Sequence, residues 1–161
     1  MVSGAASWIL RGLQAVIALT VLILAMIVSR FYNTQTDFSA PSQVNFLIFV
    51  PLFSFISLVY LVVIPKIAPR ASHPFAAFVV EGLNALFYFS GFIALAVFIS
   101  RLSFCVGSIC TTARMAAVGG GIEFGLWTAS TIAASRAAFG WTWKAQRLNS
   151  EPAPTPAMAQ A

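Results

Sequence analysis

Phe75–Ser100 reads FAAFVVEGLNALFYFSGFIALAVFIS, 26 residues with one charge and no proline. A helix rises about 1.5 Å per residue, so a run of this length crosses the roughly 30 Å hydrocarbon core of a bilayer with residues to spare. Phe, Val, Leu, Ile and Ala dominate it, and the stretch reads as a transmembrane helix. Its polar residues share one face: Glu81, Asn84, Tyr88 and Gly91 fall at i, i+3, i+7 and i+10, one side of a helix with 3.6 residues per turn. That face is expected to look at protein, not lipid.

The rest of the chain has the same character. Of its 161 residues 60% are hydrophobic and 8% charged, whereas a soluble globular domain carries roughly a quarter charged residues. The length fits one domain, and the composition fits a membrane protein. Nine basic residues against four acidic give a net charge of +5, but the basic ones stand singly at or near the ends of apolar runs. That is the distribution of helix anchors at lipid headgroups, and no basic patch interleaved with aromatics exists to hold a nucleic acid.

Working outward, three more spans are expected. Residues 1–7 form a short N-terminus, and the first apolar run follows at about residues 8–29 with Arg11 and Gln14 near its start. A cleaved signal peptide is the competing reading, but no small-x-small cleavage site follows the run. Ser29–Gln43 reads as a polar loop. The second span covers residues 44–64 and contains Pro51, where a bend is expected that a hydroxyl such as Ser54 can relieve. PKIAPRASHP, residues 65–74, is a tight turn whose one histidine, His73, receives no role. Arg101–Met115 reads as the next loop, and the fourth span covers residues 116–139.

That last span opens on Gly119–Gly121, and Gly121 with Gly125 makes a GxxxG pair continued by Ala129, Ala133 and Ala134. Small residues at this spacing let helix backbones approach closely; the partner is a neighbour in the same bundle or a second copy. Gly91 is expected to serve the same packing role in the third span. Residues 141–161 form a tail: Trp141, Trp143, Lys144 and Arg147 suit a membrane–water interface, and the Pro/Ala-rich end is expected to be disordered. The fold class is all-α, a four-helix transmembrane bundle spanning residues 8–140.

Four spans put both termini on one side. Arg11, Lys66, Arg70, Arg136, Lys144 and Arg147 lie on that side against Arg30, Arg101 and Arg114 on the other, so the positive-inside rule makes the termini cytoplasmic. Cys105 and Cys110 then fall in the second outer loop, where an oxidising compartment favours a disulfide. A redox-active pair is the alternative, but the spacing is C-x4-C rather than C-x-x-C.

Two carboxylates lie inside spans, where an unpaired charge costs on the order of a few kcal/mol and is expected to find a partner. Glu81 is at the depth of Arg11 and Arg136, one of which is its expected partner. Glu123 is in the outer half, within reach of Arg30, Arg101 or Arg114, or else protonated. A proton or cation path through both is the functional alternative, although no chain of titratable groups links them. No His/Asp/Glu cluster has metal spacing, no nucleophile sits beside a base, and no glycine loop follows a strand to hold phosphate, so no catalytic residue, metal or cofactor is expected.

Three short motifs carry a family resemblance. They are S-Q-V-N-F at Ser42–Phe46, E-G-L-N-A-L-F at Glu81–Phe87, and A-L-A-V-F-I-S-R-L-S-F-C at Ala94–Cys105, followed by Cys110 and then Ala116–Ala117. With four short-looped spans, the chain resembles the MARVEL-domain proteins, in particular the fungal branch of non-classical export and eisosome-associated proteins. It departs from that branch in a shorter second outer loop, in Gly119–Gly121 and in the Pro/Ala tail. The resemblance implies a non-enzymatic protein of plasma-membrane or secretory-pathway membranes that organises microdomains or trafficking. Its expected partners are membrane lipids, with sterol or sphingolipid as candidates, and further copies of itself or other membrane proteins. The alternative is a small transporter or channel subunit using Glu81 and Glu123; a third possibility is a thiol oxidoreductase built on the cysteine pair.

Overall fold

A computed structural model of the chain describes residues 4–35, 40–67, 74–101 and 107–150. These form four helices, α1 (Gly4–Gln35), α2 (Ser42–Ile67), α3 (Pro74–Arg101) and α4 (Ser108–Ser150), with no strand among the described residues. The helices outrun the apolar segments that predict them. α1 continues six residues past Ser29, because nothing in Arg30–Gln35 breaks a helix and intrahelical bonding satisfies the backbone there. α2 continues through Pro65 to Ile67. α3 begins on Pro74, at the first helical position, where a missing N–H costs nothing.

The expected loop Arg101–Met115 shortens in the same way, since α4 already starts at Ser108. Gly107, just before it, has φ +106°, a conformation that side-chain-bearing residues rarely adopt. The other end of α4 runs on through Trp141, Trp143, Lys144 and Arg147 to Ser150, so the expected interfacial cluster and the first two residues of the expected disordered segment are helical in backbone. Arg70, His73, Cys105 and residues 151–161 lie outside the described residues.

Around the bundle α1 packs on α2 and α4, and α3 packs on the same two helices, with α3–α4 the most extensive pairing. The diagonal pairs, α1 with α3 and α2 with α4, meet only through side chains crossing the axis. The turn between α1 and α2 is pinned by Asn33, whose Oδ1 accepts from the Ala40 N–H at 2.9 Å. The Pro41 carbonyl accepts from the Val44 and Asn45 amides at 3.0 and 3.2 Å, closing the first turn of α2.

Three helices, α1, α2 and α3, are long and apolar enough to cross a membrane. α4 falls short of the same apolarity, because Gly119–Gly121, Thr128, Ser130, Thr131 and Ser135 dilute it. Large apolar side chains cover the outside of all four helices: Val16, Ile56, Leu86 and Val118 are each more than half exposed. The inside divides along the axis. In the half farther from the termini Val21, Ala25, Val44, Leu47, Leu95 and Ala116 make a dry core. In the nearer half Val50, Leu58, Ala85, Tyr88 and Trp127 pack around polar groups.

Candidate functional site: the polar interior of the bundle

The polar face of α3 turns inward, with Glu81, Asn84, Tyr88 and Gly91 all buried. Glu81 meets α1, whereas Asn84, Tyr88 and Gly91 meet α2. Glu81 forms an ion pair with Arg11, whose guanidinium reaches across the diagonal from α1. The other nitrogen of Arg11, Nη1, donates to Gln14 Oε1 at 3.1 Å. Gln14 Nε2 in turn points at Ser130 Oγ of α4, 3.5 Å away. The guanidinium also lies 5.7 Å from the Trp127 ring centroid, so a cation–π contact completes its surroundings. Arg136, the other expected partner of Glu81, is exposed on α4 and forms no ion pair among the described residues.

One turn further along α3, Asn84 is the hub of a second cluster. Its Nδ2 donates to Ser57 Oγ at 2.8 Å and to the Val80 carbonyl at 2.9 Å. Its Oδ1 lies 2.7 Å from Ser54 Oγ, which donates to it. Tyr88 Oη stands 3.3 Å from the same Ser54 oxygen. Ser54 thus serves α3, and it also approaches the Val50 carbonyl at 3.1 Å; it does not reach the carbonyl of Leu47, the one that Pro51 leaves without its helical partner.

Glu123 is the exception. It is fully buried on α4, and neither carboxylate oxygen has a hydrogen-bond partner. The expected partners Arg30, Arg101 and Arg114 are exposed and do not reach it, because Glu123 points at the bundle axis and they leave its surface. Its neighbours are Ala18, Tyr88 and Trp127. Trp127 Nε1 and Thr128 Oγ1 are likewise buried without partners. Helix register fixes its depth: a Cβ on Gly82 would lie 3.8 Å from Thr131, and one on Gly120 would lie 3.1 Å from Phe92. Glu123 is therefore level with Phe89 and Ser90, roughly 13 Å along the axis from Glu81.

Beyond Glu123 the polar column stops against close packing. Gly91 is buried, and an added Cβ would stand 3.0 Å from Leu47 and 3.6 Å from Phe46. On α4 the close approach belongs to Gly119 and Gly120, whose added Cβ atoms would meet Val21 at 2.7 Å and Phe92 at 3.1 Å. Of the two partners open to the GxxxG pair, a neighbour in the same bundle is not in contact with it. Gly121 and Gly125 have nothing within 4 Å, so they lie outside the internal packing. A helix turns about 100° per residue, and Gly121 is rotated off the face that Gly120 presents. The GxxxG spacing identified a glycine stripe but not which glycines touch a neighbour.

Among the cysteines, Cys110 is buried in the first turn of α4, and no free cysteine occurs among the described residues. No group of three His, Cys, Asp or Glu side chains able to hold a metal occurs among them either. Gln14, Ser57, Trp127 and Ser130 are parts of the polar interior that sequence reasoning missed. For Gln14 and Ser130 the signal available was one polar residue per apolar face at the depth of Glu81.

No curated protein and no solved structure gives a significant match to the chain. The family model of the membrane-associating MARVEL domain matches residues 5–133. This match takes in α1, α2, α3 and the part of α4 that carries Glu123, Trp127 and Ser130, and the chain belongs to the MARVEL family of membrane-associating domains.

Proposed function

We propose that this protein is a non-enzymatic membrane organiser that acts through its outer surface, by lateral association with lipids and with other membrane proteins. One observation carries the reading. Glu81, Asn84 and their partners bond to one another inside the half of the bundle nearer the termini, the other half is closed by apolar packing, and between the arginines near the helix ends the outward surface is apolar side chain. Aromatic ladders add shape to that surface: Phe46, Phe49, Phe53 and Phe87 form one, with Phe53 and Phe87 centroids 5.1 Å apart. In this reading α4 crosses the membrane with the other three helices, the termini are cytoplasmic, Cys105 and Cys110 form a disulfide at the opposite face, and the membrane is the plasma membrane or one of the secretory pathway. The resemblance of Ser42–Phe46, Glu81–Phe87 and Ala94–Cys105 to the fungal eisosome-associated branch supports a role in ordered, sterol- or sphingolipid-rich patches.

The test is the distribution and diffusion of a fluorescently tagged full chain in its native membrane before and after sterol or sphingolipid depletion. Static patches that disperse on depletion are expected; a uniform, freely diffusing signal indifferent to lipid contradicts the proposal.

Glu123 favours a second reading, a small transporter or channel subunit, because a buried carboxylate without a partner is a place for a proton or cation to stop. Glu81 supports it less, being held by Arg11. The apolar layer of Val21, Leu47 and Leu95 stands between Glu123 and the far membrane face. Flux through reconstituted vesicles that disappears in Glu123→Gln would establish this reading in place of the first.

A further inference from the structure

The face opposite the termini carries an unbalanced charge. The sequence places Arg30, Arg101 and Arg114 there against one acid, Asp37; Glu81 and Glu123 are buried toward the axis and Glu151 is in the C-terminal tail. Among the described residues neither Arg30 nor Arg114 has an ion pair. The anions that meet these guanidiniums come largely from outside the chain.

Each of the two arginines stands at the mouth of an apolar groove. The first groove, about 540 Å³, lies where α1 meets α2, with Ile23, Ile27 and Ile48 along its body and Arg30 and Asn33 at its upper end. The second, about 550 Å³, lies where α3 meets α4, with Ala96, Ile99 and Val118 below and Ser100 and Arg114 above. The two helix pairs are opposite sides of the ring, so the grooves face away from each other at the same depth. Arg30 is five residues before the end of α1 and Arg114 six residues after the start of α4. That puts the two Cα atoms about 8 Å inside their helix ends, from which an arginine side chain can extend toward the headgroup level.

We infer that each groove holds a phospholipid, with an acyl chain along the apolar body and the headgroup phosphate on Arg30 in one and Arg114 in the other. A guanidinium offers paired N–H donors matched to phosphate oxygens, and in the first groove the Asn33 side-chain N–H group, whose Oδ1 is held by the Ala40 amide, stands beside Arg30 as a further donor. The occupant follows from the charge and the depth: an amphiphile anionic at this level and apolar below it. The inference deepens the lateral-association reading by naming a lipid class, and it is testable apart from that reading.

Native mass spectrometry of the full chain with dioleoylphosphatidylglycerol as probe, and phosphate-free dioleoylglycerol as control, decides it. Two phosphatidylglycerols retained per chain are expected. Arg30→Gln and Arg114→Gln should each lose one, with affinity at that groove falling roughly tenfold, and the double variant should lose both. Arg30→Lys and Arg114→Lys should retain more lipid than the Gln variants, which guards against a folding defect. Val118→Trp, which fills the second groove without touching its charge, should also lose one lipid. Equal retention of dioleoylglycerol, unchanged retention in both Gln variants, or displacement by inorganic phosphate would each overturn the inference. Lipid counts that ignore the arginines while patches persist in cells sink this inference alone. Arginine-dependent lipid binding without patches sinks the organiser reading alone.

Discussion

The half of the bundle near the termini and the half away from them use the same four helices but are held together differently. Near the termini, specificity comes from polar side chains: Arg11 meets Glu81 across the diagonal, and Asn84 bonds to Ser54 and Ser57. Away from them the helices carry no buried charge, and Gly91, Gly119 and Gly120 let the backbones close on Val21, Leu47 and Phe92. The difference reflects what a membrane interior offers. Lipid tails are as apolar as the core, so burial alone does not drive helices together, and either a hydrogen bond or close van der Waals packing must do it. Glu123, at the boundary between the halves, belongs to neither arrangement.

The comparison breaks most visibly at Glu81. Glu81→Ala leaves the Arg11 guanidinium without its carboxylate, and a loss of about 3–5 kcal/mol is expected. Unfolding of the full chain in mixed detergent micelles measures it, and Arg11→Ala with Glu81→Ala should cost less than the sum of the two single changes. Strictly additive losses would show that the two residues do not interact.

In the apolar half, Gly119→Val and Gly120→Val force atoms into Val21 and Phe92 and should cost about 1–3 kcal/mol by the same measurement. Neutral behaviour at both positions would mean that the helices approach elsewhere.

Glu123→Gln sharpens the contrast between the two carboxylates. It exchanges a buried carboxyl that has no hydrogen-bond partner for an amide of the same shape, so a change under about 1 kcal/mol is expected, far below that at Glu81. A loss as large as at Glu81 would reveal a counter-ion for Glu123. The smallest effect belongs to Gly121→Ala and Gly125→Ala, which meet nothing within the chain; unfolding free energies within about 0.5 kcal/mol of the parent are expected. Destabilisation of the isolated chain there would return these glycines to the internal packing.

Much of this architecture is legible in the residues because membrane spans are encoded locally. Length, apolarity and the absence of charge specify Phe75–Ser100 as a helix, and the periodicity of Glu81, Asn84, Tyr88 and Gly91 specifies which of its faces is inside. The helix ends are less legible. Ser29–Gln35 and Ser108–Met115 are polar enough to read as loop, yet a helix satisfies its own backbone whatever side chains it carries, so both remain helical.

Partner choice was decided only by the tertiary structure. Sequence offered Arg11 and Arg136 equally to Glu81, and three arginines to Glu123. Helix rotation and the position of the axis sent Arg11 inward and the others out. The same rotation placed Gly119 and Gly120 against neighbours and Gly121 and Gly125 away from them, a difference of one residue and about 100° that spacing along one helix cannot resolve. Composition and period along a single segment determined that the chain is a bundle of apolar helices with a polar seam. Which side chains meet across that seam depends on how four separate helices rotate against one another, and that is a property of the packed ring.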